Sequence, residues 1–265
     1  MSLELRSAVG LPKVSIGMPV YNGEKFIAQA LDALLAQSYP NFELLISDNA
    51  STDATQAICS DYAARDSRIE YVRNEVNIGS VGNFQRALAL STGEYFMWAA
   101  HDDLWCPHYI ERCLDALLNN PNAVLCFTST ILLRREGTIL GDYKDEDLDT
   151  VGLEKLGRLK KVIKGVKRNC AFYGLYRRDI LERVSFPNRY GGDHIFLAEL
   201  SLYGEFIQLP EPCFYSRLDG AGSSRSGILK SQQIHSLFVR CFPNFSFSLD
   251  FLHAVTGWQM LNRGE

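Results

Sequence analysis

The sequence lacks the features that identify membrane-spanning and nucleic-acid-binding proteins. No apolar run approaches the about 18 residues of a transmembrane helix, and no basic segment with an apolar stretch of leader length opens the chain. Its 27 lysines and arginines are outnumbered by 31 aspartates and glutamates, which gives a net charge of −4. We therefore expect a soluble, cytoplasmic protein that does not bind nucleic acid.

Cysteine motifs are also missing. The seven cysteines are an odd number and form no Cys-x-x-Cys pair, so neither a disulfide framework nor a zinc site is indicated. Reduced thiols in a cytosol are the expected state. The 265 residues, 46% apolar and 22% charged, suit one large globular domain, or at most two small ones, with a core that needs no disulfides.

Three signatures of common α/β enzymes are absent as well. There is no Gly-x-Gly-x-x-Gly after the first predicted strand and no Gly-x-x-x-x-Gly-Lys-Ser/Thr, which argues against a dehydrogenase and a P-loop enzyme. There is no Gly-x-Ser-x-Gly, so an α/β-hydrolase would have no nucleophile.

What the first half of the chain does contain is an alternation of strand and helix patterns. Strands are predicted at Val14–Met18, which Pro19 ends, and at Phe42–Ser47, Ile69–Arg73 and Tyr95–Ala99. Helices are predicted between them, one with Ser51 as its N-cap, and another opens at Pro107. This order predicts an α/β fold with a Rossmann-like, mostly parallel central sheet flanked by helices.

The second half of the chain is less regular and predicts a smaller, mixed region. Its strand candidates are 124–133, 171–176, 206–209 and 213–217. An acidic run at 141–150 and a basic run at 158–168 are interpreted as solvated surface, with a mobile loop at the mouth of the site as the alternative.

Polar clusters follow three of the predicted strands. They are Tyr21-Asn22, Asp48-Asn49 and Asp102-Asp103. Because ligands of parallel sheets bind beyond the carboxyl ends of the strands, we expect these clusters to converge on one rim. Adjacent carboxylates repel each other, and a cation bound to them relieves this repulsion. Mg²⁺ or Mn²⁺ could bind the two carboxylates on one side and the phosphates of a substrate on the other. A helix N-cap at Asp103 and a turn residue at Asp48 remain open alternatives.

Five motifs, in this order and spacing, resemble those of family 2 glycosyltransferases. They are 14–22 (VSIGMPVYN), 44–53 (LLISDNASTD), 77–79 (NIG), 91–95 (STGEY) and 101–105 (HDDLW). The likeness spans about residues 13–225. It is specific for the family and not for a particular sugar. The resemblance implies a GT-A fold and an inverting enzyme that uses a nucleoside diphosphate sugar.

The resemblance also implies roles for individual residues. Asp48 would contact the base. The residues expected in the nucleotide-sugar pocket are Pro19, Tyr21, Asn22, Asn77 and Asp102. Asp103 would be the more direct ligand of Mg²⁺ or Mn²⁺, together with Asp102. The segment 190–196 (YGGDHIF) is similar to the one that bears the family's catalytic base, which points to Asp193, with a helix N-cap as its structural alternative.

The chain departs from the family pattern at two places. The common Asp-Ser-Asp-Asp is here Ala100-His101-Asp102-Asp103, so one acidic position is lost. Asp219 stands where the family often has a histidine, and its oxygens are still suitable for Mg²⁺ or Mn²⁺.

The resemblance extends to organisation and substrates. We expect a GT-A domain at 12–225, with a nucleotide-sugar-binding half at 12–110 and an acceptor and catalytic half at 111–225, followed by a helical tail at 226–265. UDP is the expected nucleotide, with GDP and dTDP open, and the acceptor is a glycan or lipid-linked glycan of cell-surface polysaccharide biosynthesis. The aromatic stretch 242–251 is expected to pack on the core, with peripheral contact at the inner face of the membrane as the alternative.

Two other functions stay open from the sequence. A catalytically inert nucleotide- or glycan-binding module would share the fold, and the loss of acid at Ala100 and of histidine at Asp219 favours it. A nucleotidyltransferase would also combine a Rossmann-like sheet with paired aspartates, and it would release pyrophosphate in place of a nucleoside diphosphate.

Overall fold

A nine-stranded sheet runs through the part of the chain that the computed structural model describes, residues 10–134, 137–143, 147–188 and 191–218. The strands are β1 Val14–Val20, β2 Phe42–Asp48, β3 Ile69–Arg73, β4 Tyr95–Trp98, β5 Leu104–Trp105, β6 Ala123–Leu133, β7 Ile139–Tyr143, β8 Leu175–Arg177 and β9 Glu205–Arg217. Their order is β3-β2-β1-β4-β8-β6-β9-β5, and β7 pairs with β6. Strands β1 to β4 are parallel, whereas the second half of the sheet is mixed. The predicted α/β fold is confirmed.

Helices connect and cover these strands. They are α1 Ile27–Leu35, α2 Thr55–Arg65, α3 Ser80–Leu90, α4 Tyr109–Asn119, α5 Lys155–Gly165, α6 Arg178–Leu181 and α7 Gly192–Leu200, with a 3₁₀ turn at Cys170–Tyr173. Their apolar faces follow the helical period; in α1, for example, the buried residues are Ile27, Ala30, Leu31 and Leu34. No helix within the described ranges is both long and apolar enough to span a membrane.

Strand β1 runs through Pro19, contrary to the expectation that this proline ends it. The carbonyl of Val20 accepts a bond from Asn49 on the β2 side, and that of Gly17 accepts one from Ala99 on the β4 side. The backbone N–H and C=O groups of successive residues in a strand point to opposite sides, so those of residues 17 and 19 point to the same side, toward β4. The pairing of β1 with β4 ends at Gly17, before it reaches Pro19. The missing N–H of proline therefore costs no ladder hydrogen bond.

Two other sequence expectations in these elements were wrong. Ser51 does not cap α2, which begins four residues later after Ala54 without a side-chain cap. The segment expected as a strand at 171–176 is a 3₁₀ turn followed by the short β8. For Ser51 the reason is a long-range contact, because its hydroxyl accepts a hydrogen bond from the backbone N–H of Asn22.

Strand β9 is one long element where two were expected. The prolines at 210 and 212 indicated a break, but the register with β6 shifts at Thr128, Ser129 and Thr130 and the pairing continues. Bulges of this kind absorb residues that cannot donate to the ladder. The continuous strand carries Arg217, its last residue, to the rim at which Asp103 lies.

Two of the seven cysteines are joined, which corrects the expectation of reduced thiols throughout. Cys106 and Cys213 form a disulfide across 107 residues, with their Cα atoms 4.9 Å apart. They continue the antiparallel register in which Leu104 pairs with Tyr215 and Trp105 with Phe214. Spacing rules for short cysteine motifs do not detect such a pair, since only the β5–β9 pairing makes them neighbours. The other cysteines within the described residues, at 59, 113, 126 and 170, are buried and form no disulfide.

Candidate active site

The loops after β1 and β2 are joined at the carboxyl edge of the sheet. The backbone N–H of Asn22 donates to Ser51 Oγ at 2.9 Å, and Asn22 Oδ1 accepts from Thr52 N at 2.8 Å. Asn22 has φ of 53°, a left-handed conformation that asparagine tolerates better than most residues. Tyr21 beside it is 45% exposed, whereas Pro19 is buried within the strand.

The loop after β4 reaches the same edge. A Cβ atom on Gly23 would lie 2.8 Å from the His101 ring, so the loops after β1 and β4 are in close contact. The convergence of the three polar clusters is therefore observed. His101 packs between loops, in agreement with a structural role for this histidine.

Asp48, at the end of β2, is fully buried and has three partners. Its Oδ1 accepts from the backbone N–H of Ser51 at 2.9 Å, and its Oδ2 accepts from the Tyr71 hydroxyl at 2.7 Å. Arg73 Nε lies 3.7 Å from Oδ2. Burial, followed by the hydrogen bond to the Asp48 carboxylate, raises the pKa of Tyr71. A base contacting Asp48 would thus share Oδ1 with the Ser51 N–H or Oδ2 with the Tyr71 hydroxyl.

A chain of hydrogen-bonded asparagines supports this edge, and two of its buried members, Asn74 and Asn83, were not identified from the sequence. Asn49 Nδ2 donates to Asn77 Oδ1 at 2.9 Å, and Asn49 Oδ1 accepts from Asn74 Nδ2 at 3.0 Å. Asn83 continues the chain, with its Nδ2 donating to the carbonyl of Ser47 at 2.7 Å. Asn77 is therefore fixed by the residue next to Asp48. Asn74 follows β3 directly, so the strand-end rule that selected Asp48 would have selected it too.

Asp102 and Asp103 are both buried, and Arg217 at the end of β9 binds each of them. The backbone N–H of Arg217 donates to Asp103 Oδ1 at 2.7 Å, and its Nε donates to the backbone carbonyl of Asp102 at 2.8 Å. The guanidinium also donates to Gln29 Oε1 at 3.1 Å and lies 4.3 Å from the centre of the Phe26 ring. Arg217 thus ties the paired aspartates to helix α1. No local signal in the sequence indicated this role, because 114 residues separate Arg217 from Asp103.

The electrostatics of the aspartate pair are unfavourable to a second negative charge. Burial raises the pKa of Asp103 well above its usual range, and the Asp102 carboxylate raises it further. The hydrogen bond and positive charge of Arg217 act in the opposite direction without cancelling the effect. A cation at this position would relieve the repulsion.

The donor set fits a hard divalent cation that takes some of its oxygens from a ligand. Within the described residues no cluster of three or more histidine, cysteine, aspartate or glutamate side chains could hold a metal alone. Asp102 and Asp103 provide carboxylate oxygens, the ligand type that Mg²⁺ and Mn²⁺ prefer, and one Asp103 oxygen is already used by Arg217. The third expected ligand, Asp219, lies outside the described residues.

Asp193 lies in the first turn of α7, and its side chain is 39% exposed. The N-cap position belongs to Gly191, so the helix-cap alternative for Asp193 is not what the structure has. Its Oδ1 accepts from the backbone N–H of His194 at 3.0 Å and lies 3.1 Å from His194 Nδ1. A partly exposed carboxylate of this kind is accessible to a substrate hydroxyl.

The charges of Asp193 and of the aspartate pair all act on Tyr173. Burial raises the pKa of Tyr173, and the charges of Asp103, Asp102 and Asp193 raise it further in that order. Tyr173 lies within the segment 171–176, which was predicted as a strand, and no role was predicted for it.

Polar loops at the carboxyl edge of a parallel sheet, with carboxylates close by, are typical of an α/β enzyme that binds its ligands at this edge. Within that class, the chain belongs to glycosyl transferase family 2, whose sequence model matches residues 15–185. This confirms the resemblance carried by the five motifs.

Individual relatives agree with this assignment. A Bacillus subtilis protein named for teichuronic acid biosynthesis, the glycosyltransferase TuaG, is 32% identical over 132 residues, which cover 50% of this chain and 52% of TuaG. The chain spans between 23% and 52% of the length of the first curated relatives that it matches.

Solved structures of glycosyltransferases share the fold. S. aureus TarS in complex with UDP superposes with a TM-score of 0.59 at 20% identity, covering 77% of this chain and 60% of that one. The mannosyltransferase PcManGT from Pyrobaculum calidifontis, in complex with GDP-Man and Mn²⁺, has a TM-score of 0.57 at 18% identity, covering 81% and 59%. At these identities the likeness concerns the fold, which is GT-A.

Proposed function

We propose that this chain transfers a sugar from a nucleoside diphosphate sugar to a hydroxyl group, with inversion at the anomeric carbon. The observation that carries the proposal is the buried aspartate pair, Asp102 and Asp103, at the carboxyl edge of the sheet, where the loops after β1 and β4 meet. The charges of the pair repel each other, which suits a metal diphosphate, while Asp193 is partly exposed, which suits an acceptor. Family membership supports the same reaction.

In this proposal the loops at the carboxyl edge bind the donor. The Asp48 carboxylate accepts a hydrogen bond from the base, while Asn49 orients Asn77. The other proposed pocket residues are Pro19, Tyr21, Asn22 and Asp102. We propose UDP as the nucleotide, and the complex of TarS with UDP supports this choice. GDP is the alternative to be tested, because PcManGT forms a complex with GDP-Man.

The residues at the other side of the site move the proton. The acceptor hydroxyl gives its proton to the Asp193 carboxylate while its oxygen forms a bond with the anomeric carbon. The bond from that carbon to the diphosphate breaks, and its electron pair goes to the phosphate oxygen. Asp102 and Asp103, with Asp219 as a further proposed ligand, would hold Mg²⁺ or Mn²⁺. When bound, the cation supplies positive charge against the charge that grows on the leaving diphosphate.

The acceptor and the cellular setting are proposed more broadly. A glycan or lipid-linked glycan of cell-surface polysaccharide biosynthesis is supported by the name of the relative TuaG. We propose that the reaction takes place in the cytoplasm or at the inner face of the membrane. We propose one GT-A domain at 12–225, with a nucleotide-sugar-binding half at 12–110 and an acceptor and catalytic half at 111–225. The expected tail at 226–265 lies outside the described residues.

The decisive variant is Asp193→Asn. The amide keeps the shape of the carboxylate but accepts no proton, and loss of a positioned general base lowers kcat by about 10² to 10⁴. Donor affinity should be unchanged. Release of nucleoside diphosphate from UDP-, GDP- and dTDP-sugars with Mn²⁺ measures the reaction, and thermal shifts measure donor binding.

The matched control is Asp179→Asn, which changes an exposed aspartate in the first turn of α6 and should leave kcat unchanged. An Asp193→Asn variant with most of its activity would exclude Asp193 as the base. Nucleotide binding with neither transfer nor donor hydrolysis would favour an inert binding module instead, and release of pyrophosphate would favour a nucleotidyltransferase.

A further inference from the structure

Helix α5 presents apolar side chains to solvent in the middle of the most basic segment of the chain. Leu156 is 66% exposed and Ile163 38% exposed. Just before the helix, Val151 and Leu153 are exposed as well. Residues 155–168 contain seven lysines and arginines and no acidic residue, in a protein of net charge −4. Exposed apolar groups among cationic ones are unlike the solvated surface that the sequence indicated for this run.

The helix has two distinct faces. Leu159 and Val162 are buried in the core together with Leu197 and Leu200 of α7. The solvent-exposed face beside it, which we call the α5 outer face, consists of positions i, i+4, i+7 and i+8. Its residues are Leu156, Lys160, Ile163 and Lys164, which the helical period places side by side. The outer face is therefore an apolar pair flanked by two lysines.

Two other basic groups of α5 have partners within the protein. Arg158 Nε donates to the carbonyl of Ser201 at 2.8 Å, and Lys161 forms an ion pair with Asp147 at 2.9 Å. Neither residue belongs to the outer face. Lys160 and Lys164, in contrast, form no ion pair with any other residue that the structure describes.

We propose that the α5 outer face docks on a membrane surface that carries anionic lipids. The lysines complement the charge of the lipid headgroups, and the two apolar side chains enter the boundary between headgroups and acyl chains. A soluble acidic polymer would match the lysines but would leave Leu156 and Ile163 in water. The combination of both kinds of group on one face therefore favours a bilayer.

The position of α5 connects this surface to the proposed reaction. Helix α5 packs on α7, the helix that begins beside Asp193. If the proposed transfer to a lipid-linked acceptor holds, docking through α5 brings the acceptor side of the protein to the membrane that contains that acceptor. Vesicle binding itself requires neither donor nor catalysis, so it fails or succeeds separately from the proposed function.

Co-sedimentation of the full chain with vesicles tests the docking. We expect binding to phosphatidylcholine vesicles that contain phosphatidylglycerol, weaker binding to phosphatidylcholine alone, and release at high salt. Lys160→Gln with Lys164→Gln should weaken binding about 30-fold, from about fivefold for each lysine near an anionic surface. Leu156→Ser with Ile163→Ser should weaken it about tenfold while the salt dependence remains.

A charge-matched control separates this face from general electrostatics. Arg86→Gln with Arg183→Gln removes the same charge from exposed positions on other elements and should leave vesicle binding unchanged. Equal binding by the wild type and both α5 double variants would overturn the proposal. So would competition by soluble polyglutamate combined with full binding by the leucine and isoleucine variant, because the partner would then be an acidic polymer. Circular dichroism confirms that each variant is folded.

Discussion

Carboxylates at the two ends of the parallel strands have pKa values that are shifted in opposite directions. At the amino end, burial opposes the ionisation of Glu43, but hydrogen bonds from Lys13 and Thr92, among others, outweigh it and lower its pKa. At the carboxyl end, burial and the neighbouring Asp102 raise the pKa of Asp103. Hydrogen bonds within the protein fully offset the unfavourable burial of the Glu43 charge. For Asp103, the hydrogen bond and positive charge of Arg217 offset the effects of burial and of Asp102 only in part. Glu43 stabilises the fold, and for Asp103 we propose a cation that supplies the missing compensation.

The same contrast divides the family motifs by role. The motif at 91–95 lies at the amino end, where Gly93 N donates to Ser15 Oγ at 2.7 Å. A Cβ atom on Gly93 would lie 2.6 Å from the carbonyl of Lys13, so only glycine fits there. This motif therefore fixes β4 beside β1, whereas the motif at 101–105 holds the aspartate pair. A shared motif is not by itself evidence for contact with substrate.

The largest expected effect is that of Asp103→Asn. Loss of one ligand of the cation should lower transfer on the order of 10³-fold, while the melting temperature stays the same or rises because a buried like-charge repulsion is removed. Titration calorimetry of UDP, GDP and dTDP with Mn²⁺ and with EDTA measures the coupling between metal and nucleotide. Equal nucleotide affinity with Mn²⁺ and with EDTA in the wild type would contradict the metal assignment.

A smaller effect is expected from Arg217→Lys. Lysine keeps the charge but cannot bind the Asp102 carbonyl and Gln29 together, so the aspartate pair loses its connection to α1. Loss of such an orienting contact lowers metal affinity by about 10- to 100-fold. The concentration of Mn²⁺ that gives half-maximal transfer is the measurement. A higher donor KM at saturating Mn²⁺, with no change in Mn²⁺ dependence, would instead place Arg217 on the donor.

Asp48→Asn and Tyr71→Phe separate two roles of the buried carboxylate. If Asp48 binds the base, Asp48→Asn should raise the donor KM about tenfold with little change in kcat. Tyr71→Phe frees one Asp48 oxygen and should leave KM unchanged or lower it. The same increase in both variants would mean that Asp48 acts by ordering the loop that begins at Asn49.

The smallest effect belongs to the amino end. Glu43→Gln should leave transfer unchanged and lower the free energy of unfolding by about 1 kcal/mol, allowing for solvent screening of this partly exposed group. Because the pKa of Glu43 is lower in the folded than in the unfolded chain, its contribution is present above pH 4.5 and disappears as the pH falls through the folded pKa. Urea denaturation of wild type and variant at neutral and acidic pH measures this difference. A constant difference between them at every pH would contradict it.

The alternation of strands and helices, and the sheet edge at which the candidate site lies, follow from the amino-acid sequence alone. The apolar pattern of residues 69–73 gave the bounds of β3 correctly, and those of the other early strands were correct to within two residues. Strand-end polarity identified Asp48 and the aspartate pair, because the carboxyl ends of parallel strands must meet at one edge. These are local properties, set by side-chain period and chain direction.

The contacts of those residues depend on the tertiary structure and could not be predicted from the sequence. Arg217 reaches Asp103 because β9 continues across a bulge, and Cys106 meets Cys213 because β5 pairs with β9. Each of these contacts joins residues that are far apart in the chain, and no periodicity within a short window encodes such a contact. Such a contact forms only when the strands pair in their final order and register.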